Sequence, residues 1–489
     1  MRIKNLEQIA NHGNTNARKL LLELLEVGMS STDPYYAVKE LIHLEGNKLI
    51  LDGSRFEPCD DPNSGKEELD LSNSRIYVYG AGKGIQSVAV ALEEILGDKL
   101  TGGEIILKYG DDNPLTRVNV TYAAHPVPDS NCVVGCKKIV DMINDSELTE
   151  DDIVFVITGN GVSSLLTMPA EGLSIDEVAD LTRILQIEKG ATTFDLNNVR
   201  NVVDQMKGGR ITRMLKPAHI VHLLAWDANL ITRVGKNGYY GLMKYNNWLH
   251  SLPDLATPEL AKEVLIKYDV WDRVSENVRR HIENMTPEQL GMNQKEFEET
   301  NSRIFGLVPF NSMEKSIKER CKEINLPCYI LSKESFLEAT QSGKFFGGVA
   351  KAISNIDEPV KKPCVLLMTG EKIVAVGNNN GVGGRNQEFA VAAATIIRGF
   401  NNIVIASADT DGTDGPGGFF AEDAKQKGIG ALAGGIVDGY TCDEAAAKGI
   451  DLNKALSTHA TSKPLWELDC GIWTSQSISM VDITLAYIS

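Results

Sequence analysis

The sequence lacks three features that would each indicate a particular class of protein. No apolar run approaches the ~18 residues of a transmembrane helix, and residues 1–14 carry no apolar stretch of the kind found in secretory signals. The 8 cysteines are scattered through 489 residues, so they do not form the dense framework of a disulfide-stabilised secreted domain. These absences favour a reduced, cytoplasmic protein without a membrane partner.

A surplus of positive charge is lacking as well. The chain has 49 Lys and Arg against 66 Asp and Glu, which gives a formal net charge of −17. Binding to nucleic acid requires many cations along the phosphate backbone, so we expect no nucleic-acid partner. A small anionic ligand remains compatible with this charge, because a few local cations and backbone amides are enough to hold one.

The first part of the chain has the pattern of an α/β domain. Short β-rich runs at 75–79, 104–107 and 153–157 alternate with stretches of helical periodicity. This alternation is typical of a parallel, doubly wound sheet with helices on both faces. The length of the chain, well above the ~100–200 residues of one domain, predicts two domains. We assign the first to residues 1–300.

A second α/β section, residues 301–489, is expected to form the smaller domain. Residues 364–368 and 372–376 have the pattern of a β-hairpin, and a glycine-rich turn and an alanine-rich helix follow them. A β-rich run at 402–406 then leads into an acidic loop.

The glycine turn G-A-G-K-G at 80–84 follows the first β-rich run. Position 85 is isoleucine, so the turn is not a dinucleotide-binding fingerprint, and no Ser or Thr follows Lys83 as in a Walker A loop. What remains is a lysine among glycines at the carboxyl end of a strand, where open α/β sheets bind ligands. Gly82, Lys83 and Gly84 are therefore candidates for binding a phosphate or carboxylate. The alternative is a tight turn with a solvated lysine.

A second turn, T-G-N-G-V-S-S at 158–164, follows the β-rich run at 153–157. A glycine-rich turn at a helix start leaves backbone N–H groups available to an anion. Asn160, Ser163 and Ser164 are therefore candidate phosphate-binding residues, with helix capping as the alternative for the two serines.

Two basic residues stand farther along the first domain. Arg200 and Lys207 lie along and just past one predicted helix. They are candidate ligand-binding cations, although a charged helix end followed by a glycine stop has the same pattern.

In the second domain, G-V-G-G-R-N-Q-E at 381–388 places an arginine in a glycine turn before a helix. The planar guanidinium of Arg385 suits bidentate binding of a phosphate or carboxylate. Asn386 and Glu388, in the same helix start, are candidate substrate-binding residues. A lone surface arginine is the alternative.

Three carboxylates, Asp409, Asp411 and Asp414, are crowded into the acidic loop. Like charges that close are costly unless a cation lies among them. Mg²⁺, which proteins often hold with one or two carboxylates plus substrate phosphates, is the natural candidate. We assign Asp411 and Asp414 as its ligands, with an Asp-rich turn as the alternative.

Together and in this order, these motifs resemble those of the glycerate 2-kinase family, whose C-terminal half is the MOFRL domain. The resemblance covers most of the chain, and each motif alone is weak whereas the ordered set is specific. The matching segments are G-A-G-K-G at 80–84, H-P-V-P-D at 125–129, M-P-A-E-G at 168–172, N-V-R at 198–200, K-G-G at 207–209, T-G-E at 369–371, G-G-R-N-Q-E at 383–388 and T-D-G-T-D-G-P at 410–416.

The resemblance implies an N-terminal Rossmann-like domain, a smaller α/β C-terminal domain and an active site in the cleft between them. It also implies ATP and Mg²⁺ as cofactors and D-glycerate as the hydroxy acid phosphorylated on its 2-hydroxyl. In that family a lysine matching Lys83 and an arginine matching Arg385 are tied to activity, so we expect these two to face each other across the cleft. The resemblance adds Glu171 to the candidate substrate-binding residues.

Three segments depart from the family pattern: 158–166, 225–233 and 474–481. Because the second replaces a glycine-rich loop, we expect Trp226 and Arg233 to reshape the acceptor pocket. The alternatives are therefore a kinase for another sugar acid, such as a tetronate or an aldonate, and a non-catalytic family member. A hydroxypyruvate reductase is a third, although the chain lacks the glycine fingerprint of a dinucleotide site. The sequence leaves open the acceptor acid, the hydroxyl attacked and whether the chain forms a homo-oligomer.

Overall fold

A computed structural model describes residues 1–226, 238–309, 312–335, 337–374, 381–477 and 481–489. Among these residues, no helix combines the length and apolarity needed to cross a bilayer. The chain forms two compact units. We call Pro34–Phe310 the central unit, and Met1–Asp33 together with Asn311–Ser489 the terminal unit, because it contains both ends of the sequence.

The strands and helices are numbered along the chain. The strands are β1 (Ile42–Glu45), β2 (Lys48–Leu51), β3 (Glu67–Asp70), β4 (Ile76–Ala81), β5 (Leu100–Lys108), β6 (Asn119–Ala123), β7 (Ile153–Thr158), β8 (His219–Leu224), β9 (Ser302–Gly306), β10 (Cys328–Ser335), β11 (Cys364–Gly370), β12 (Ile403–Asp409), β13 (Gly434–Asp438), β14 (Gly471–Ile472) and β15 (Asp482–Ile488). The helices are α1 (Leu6–Ala10), α2 (Thr15–Ser31), α3 (Pro34–Leu41), α4 (Gln86–Leu96), α5 (Ser130–Ser146), α6 (Val162–Leu165), α7 (Ile175–Thr182), α8 (Thr193–Arg200), α9 (Arg210–Met214), α10 (Tyr239–Tyr245), α11 (Pro258–Lys267), α12 (Glu276–Asn284), α13 (Gln294–Glu298), α14 (Ser312–Glu323), α15 (Ala339–Ile356), α16 (Arg385–Ile397), α17 (Glu422–Gln426), α18 (Thr441–Ala447), α19 (Leu452–Ser457) and α20 (Ser462–Glu467).

The central unit is built on a six-stranded sheet with the order β6-β5-β4-β7-β8-β9. Every neighbouring pair in this sheet is parallel. The chain starts in the middle with β4, builds outward to β6, and then returns to add β7, β8 and β9 on the other side. This is the Rossmann order, which confirms the predicted doubly wound fold. A separate antiparallel sheet, β1-β2-β3, belongs to the same unit.

The strands at the centre of this sheet are buried along their whole length. A parallel sheet covered on both faces needs continuous apolar runs rather than alternation, and β4 and β7 have them. On one face, Tyr79 and Val156 pack with Cys132 and Cys136 of α5. The two cysteines are therefore core residues of a helix.

The terminal unit contains a mixed sheet with the order β10-β11-β15-β12-β13-β14. Only β10 and β11 are parallel to each other among its neighbouring pairs. The predicted hairpin of 364–368 with 372–376 is wrong where the structure describes it. β11 has β10 on one side and β15 on the other, so neither edge is left for a hairpin partner. Ile373 instead forms an isolated bridge with Glu338.

The first 33 residues pack in the terminal unit, whereas the predicted boundary groups them with residues up to 300. The apolar face of α2, including Leu21 and Leu25, joins Ile317 of α14 and Ile483 of β15 in one core. A helix followed at once by another helix gives no sign in the sequence of which sheet it covers.

Candidate active site

Two glycine turns of the central unit meet where the strand order reverses. The turn after β4 and the turn after β7 lie side by side, because β4 and β7 are neighbours. The Lys83 N–H donates to the carbonyl of Asn160 (2.7 Å), and the Gly82 N–H donates to Ile106 (3.1 Å). A Cβ on Gly82 would lie 2.6 Å from the Cα of Gly159, and the φ of Gly82 is +153°. Glycine is therefore required where the two turns touch, and this edge is where open α/β sheets bind ligands.

The Lys83 side chain is half-buried and lies over the second turn. A Cβ added to Gly161 would lie 3.2 Å from Lys83 Cγ and 2.9 Å from His125 Cδ2. Within the described part of the chain, the Lys83 ammonium has no ion-pair or hydrogen-bond partner. Burial lowers the pKa of His125 to about 4, and the charges of Lys83, Lys108 and Arg200 add to this effect. A neutral histidine is thus surrounded by cations, which is an environment that favours an anion.

Gly84 continues the same turn. It has φ +71°, and its N–H donates to Asp111 Oδ2 (3.3 Å). The first turn is therefore held from both directions, by Asn160 on the neighbouring loop and by Asp111 on the loop after β5.

The two predicted serines have different surroundings. Ser163 Oγ lies 2.7 Å from Nε2 of His250, whereas Ser164 Oγ donates to the carbonyl of Ala124 (3.1 Å). Ser164 therefore braces the loop that precedes His125, and Ser163 is the serine with a titratable partner. His250 was missed by the sequence reasoning. Its only signal there is that it is one of 8 histidines in the chain.

Arg200 is buried but contacts only neutral acceptors. Its Nη2 donates to the carbonyl of Pro126 (3.2 Å) and to Gln186 Oε1 (3.1 Å), and its Nε to Thr182 Oγ1 (3.4 Å). Burial lowers its pKa to about 10, an effect that the charge of Asp204 opposes. It therefore stays cationic at pH 7. Among the residues described, no carboxylate is within ion-pairing distance, so Arg200 fits its predicted role as an anion-binding residue.

Lys207 has a different role from the predicted phosphate contact. Its ammonium donates to Asp204 Oδ2 (2.6 Å), to the carbonyl of Leu166 (2.6 Å) and to Thr167 Oγ1 (2.9 Å). These three acceptors use all three ammonium hydrogens. The ion pair is inaccessible to solvent, with both side chains 1% exposed. Lys207 therefore braces the site from inside the fold.

The other predicted contacts in this unit are on its surface or outside the described residues. Glu171 is exposed, in the turn before α7. Trp226 packs edge-on against Trp248, with ring centroids 5.5 Å apart. Arg233 lies outside the described residues.

In the terminal unit, Arg385 begins α16 directly after a glycine turn and binds two carboxylates of its own unit. Its Nε donates to both oxygens of Asp482 (3.0 and 3.1 Å), and its Nη2 to Asp409 Oδ2 (2.6 Å). Its Nη1 is 3.7 Å from Glu371 Oε1. Burial opposes its charge, but Asp482 and Asp409 outweigh burial and raise its pKa. The guanidinium that was predicted to bind a ligand is thus already bonded to two carboxylates of the protein.

Asp414 caps α16 rather than standing open to a metal. Its Oδ1 accepts the N–H of Asn386 (3.1 Å), and its Oδ2 accepts the N–H of Gln387 (2.9 Å). The first N–H groups of a helix have no partner inside the helix, so a remote carboxylate that accepts two of them stabilises the helix start. Asp414 is fully buried, and burial raises its pKa to about 6. This geometry does not fit the predicted metal-ligand role.

Asp409 and Asp411 form a turn of their own. The Asp411 N–H donates to Asp409 Oδ1 (3.1 Å), and Asp411 Oδ1 accepts from the N–H (2.7 Å) and Oγ1 (2.9 Å) of Thr413. Burial and the Asp411 charge raise the pKa of Asp409, and Arg385 opposes them. In the described ranges, no three His, Cys, Asp or Glu side chains are placed to hold a metal ion. Of the two predicted ligands, the half-buried Asp411 is the one that fits a metal already bound to phosphates.

Lys372 and Asp482 were missed by the sequence reasoning. Lys372 is fully buried, and its ammonium lies 3.1 Å from Asn386 Oδ1 and 3.5 Å from Asp482 Oδ2. Burial lowers its pKa. Asn386 also donates to Asp482 Oδ1 (2.6 Å). Asn386, which was predicted to bind substrate, therefore links Lys372 and Asp482 to the start of α16. A single charged residue within a largely apolar run is the signal that could have found Asp482, whereas Lys372 follows Glu371 and has no such signal.

Glu388 is buried and bonded to a histidine. Its Oε1 lies 2.8 Å from Nδ1 of His459, and its Oε2 accepts from Thr340 Oγ1 (3.4 Å). A Cβ on Gly383 would lie 2.5 Å from the carbonyl oxygen of His459. Glu388 therefore bonds the loop that contains His459 to the helix that follows the glycine turn. Its predicted contact with substrate has no support in this geometry.

Known proteins are similar to this one over nearly the whole chain. Residues 20–228 match a domain of unknown function (DUF4147), and residues 364–481 match the MOFRL family. The chain is 32% identical over 449 residues to a glycerate 2-kinase of Pyrococcus horikoshii, covering 92% of each protein. It is also 32% identical over 435 residues to a D-glycerate 2-kinase of Thermotoga maritima, covering 89% of each.

Solved structures agree with these relatives. A crystal structure of a glycerate kinase from T. maritima is 29% identical in sequence and has a TM-score of 0.73. The match covers 96% of this chain and 99% of that one. A crystal structure of a P. horikoshii protein has the same TM-score at 28% identity and covers 98% of that chain. The similarity therefore includes both units.

Proposed function

Because the chain belongs to the glycerate 2-kinase family, we propose that it transfers the γ-phosphoryl group of ATP to the 2-hydroxyl of D-glycerate. The relatives that carry this activity in their names match about nine-tenths of the chain. The observation that carries the proposal is the position of Lys83. It is a cation without a protein partner in the described residues, held between two glycine turns at the ligand-binding edge of the central sheet.

Phosphoryl transfer needs positioned positive charge more than covalent chemistry. The transferred group spreads negative charge over its equatorial oxygens, and fixed cations stabilise that charge as it develops. Lys83 supplies a compact charge on a turn whose backbone is held by Asn160 and Asp111. Because the turn is already ordered, little reorganisation is needed when the anion arrives.

Arg200 is proposed to hold an anionic group of a substrate. Its bonds to Pro126 and Gln186 orient the guanidinium but leave its charge unpaired in the described residues. A buried cation without a counterion gains much more from an incoming carboxylate or phosphate than an exposed one does.

Arg385 is proposed to contribute to turnover by a different route. Its guanidinium neutralises Asp409 and Asp482 beside the start of α16, so the acidic turn at 409–414 can lie near phosphates without repelling them. The expectation that Arg385 and Lys83 act on the same phosphoryl group stays a prediction. A double variant that loses no more activity than the more damaging single variant would support it.

Magnesium is proposed as the metal of this reaction. When bound, Mg²⁺ neutralises the β- and γ-phosphate oxygens of ATP. Asp411 fits as a single protein ligand because its turn is half-buried and because Mg²⁺ usually keeps several waters and phosphate oxygens. Asp414 does not fit, since both of its oxygens accept backbone hydrogens at the start of α16.

The proposal is tested by ATP consumption with a panel of three- to six-carbon hydroxy acids. We expect D-glycerate to be phosphorylated, and Lys83→Ala to lower kcat/KM by about a few hundred-fold, the usual effect of losing one such contact. Lys137→Ala, on the exposed side of α5, is the matched control and should match the wild-type protein.

Three outcomes would contradict all or part of the proposal. Near-wild-type transfer by Lys83→Ala would remove Lys83 from the mechanism. Preference for a longer acid would support the idea that the segment beyond Trp226 reshapes the acceptor pocket. Oxidation of NADH with hydroxypyruvate, without ATP consumption, would identify a reductase.

A further inference from the structure

We infer that His250 is a positioning residue that turns the hydroxyl of Ser163 toward the anion bound beside Lys83. The inference rests on the proposed function only in taking that anion to be a phosphate or carboxylate of a substrate. It starts from the 2.7 Å contact between Ser163 Oγ and His250 Nε2 and from what surrounds the imidazole ring.

His250 lies in a hydrogen-bonded loop after α10. It is 1% exposed, and its carbonyl accepts the N–H of Gly209 (2.9 Å). The side-chain amide of Asn246 donates to the carbonyls of Leu249 (3.0 Å) and Pro253 (2.7 Å), which closes the loop on itself. The ring therefore has a fixed place from which to orient a neighbour.

The imidazole is neutral. Burial, together with the charges of Lys207 and Arg200, lowers the pKa of His250 well below its ordinary value. A neutral histidine carries one N–H, so it either donates from Nε2 to Ser163 or accepts the hydrogen of Ser163 at Nε2.

The surroundings of Nδ1 favour one of these two forms. Nδ1 is buried and has no hydrogen-bond partner among the described residues. If Nδ1 carried the hydrogen, a buried N–H would be left unpaired in a field set by Lys207 and Arg200. An unprotonated Nδ1 carries a lone pair instead, which the positive charges near the ring favour. Orphaned buried N–H groups are also rarer in proteins than under-satisfied acceptors. The Nε2–H form is therefore favoured, and it donates to Ser163 Oγ.

This donation decides where the serine hydrogen points. Once Ser163 Oγ accepts from His250, its own hydrogen must turn to another acceptor. Ser163 lies two residues after Gly161, the glycine that Lys83 and His125 cover. A hydroxyl donor and the Lys83 ammonium are therefore presented from the same pair of turns. Because the imidazole is neutral, it fixes the hydroxyl without adding charge.

The first test is spectroscopic. The ¹⁵N and ¹H shifts of ¹⁵N-histidine-labelled protein distinguish the two neutral forms, and the His250 signals are identified by their loss in His250→Gln. We expect a protonated Nε2 and an unprotonated Nδ1 between pH 6 and 8. A protonated Nδ1 would overturn the inference.

The second test measures binding without turnover, by calorimetry with ATP and with inorganic phosphate. At least one of these two anions should respond. For that anion, we expect Ser163→Ala and His250→Leu each to weaken binding by about tenfold, as for a lost hydrogen bond to a charged group. The double variant should lose no more than either single one. His250→Gln, whose amide can donate to the same oxygen, should stay within about threefold of wild type. His281→Gln, a histidine on α12 that bonds to Val202, is the control and should match wild type.

The outcomes separate this inference from the proposed function. Additive losses in the double variant, or wild-type binding by His250→Leu, would overturn the positioning role whatever the protein catalyses. If the coupled loss of binding is seen and D-glycerate is not phosphorylated, the proposed function fails and the inference stands. If His250→Leu does not fold, the comparison of Ser163→Ala with His250→Gln and the tautomer measurement decide the matter.

Discussion

The buried ion pair between Asp204 and Lys207 allows a sharp prediction about stability. Asp204 accepts the N–H groups of Met206 (2.8 Å), Lys207 (3.3 Å) and Met168 (3.1 Å) as well as the ammonium. In Asp204→Asn the Lys207 ammonium must stay charged without a counterion or give up its proton, and the negative charge that favours the cationic form of Arg200 is lost. Breaking such a buried pair from one side typically costs about 3–5 kcal/mol.

The opposite substitution should cost less. In Lys207→Met, Asp204 keeps three backbone donors, and a carboxylate with that many is stable when ionised. The loss is then confined to the acceptors at Leu166 and Thr167, or about 1–3 kcal/mol. An exposed pair gives the reference. Glu276→Gln, which removes the partner of Arg280 on α12, should change stability by less than about 1 kcal/mol.

Hydrogen exchange in graded urea measures this order within one molecule. Peptides from β7 and β8 report opening of the central unit, and peptides from β12 and β15 are an internal control in the terminal unit. We expect the opening constant of the central unit to rise by about a hundredfold or more in Asp204→Asn, since each 1.4 kcal/mol is about tenfold. A change of less than about fivefold would refute the buried-charge argument. If Lys207→Met leaves hydrogen exchange unchanged but abolishes phosphate binding, Lys207 contacts the ligand, as the sequence predicted.

Three further predictions concern the two units separately. Asp411→Asn should lower kcat and raise the Mg²⁺ concentration needed for activity. Asp414→Ala should leave the Mg²⁺ dependence unchanged and lower the free energy of unfolding by about 1–2 kcal/mol through loss of the helix cap. The opposite pattern in metal titrations and melting curves would contradict both roles. Arg385→Lys should keep the charge but lose the fork-shaped contacts to two carboxylates, so we expect about a hundredfold lower kcat with a folded terminal unit, and wild-type kcat would refute this. Burial lowers the pKa of His125 to about 4 and of His222 to about 3. At these two histidines the unfolded chain therefore binds more protons than the folded one below about pH 6.5, so the central unit should lose stability as pH falls from about 6.5 toward 4. His222→Gln should flatten this dependence in hydrogen-exchange measurements, and an unchanged slope would contradict it.

Much of the central unit was predictable because its signals are local. A buried parallel strand is an apolar run, and the turn after it must be glycine-rich where two turns touch, as at Gly82. The Rossmann order then brings the turns after β4 and β7 together without further information. The sequence alone therefore predicted the edge of the sheet at which Lys83 lies.

The roles of individual polar residues were less predictable, because they depend on partners distant in the chain. Lys207 has the appearance of a basic helix end until Leu166 and Thr167 are seen to accept its hydrogens. Asp414 belongs to a crowded acidic run, but its effect is on a helix that begins 29 residues earlier, at Arg385. His250 has no motif at all, and only the fold brings it to Ser163.

The placement of α2 has a consequence for how the chain folds during synthesis. The central unit is continuous in sequence, so it can fold as soon as it has left the ribosome. The terminal unit cannot, because Leu21 and Leu25 share one core with Ile483 of β15, a strand near residue 489. β15 lies between β11 and β12 in the middle of that sheet. The core that holds the apolar face of α2 is therefore completed only after more than four hundred further residues have been made, although Ile317 of α14 joins it earlier.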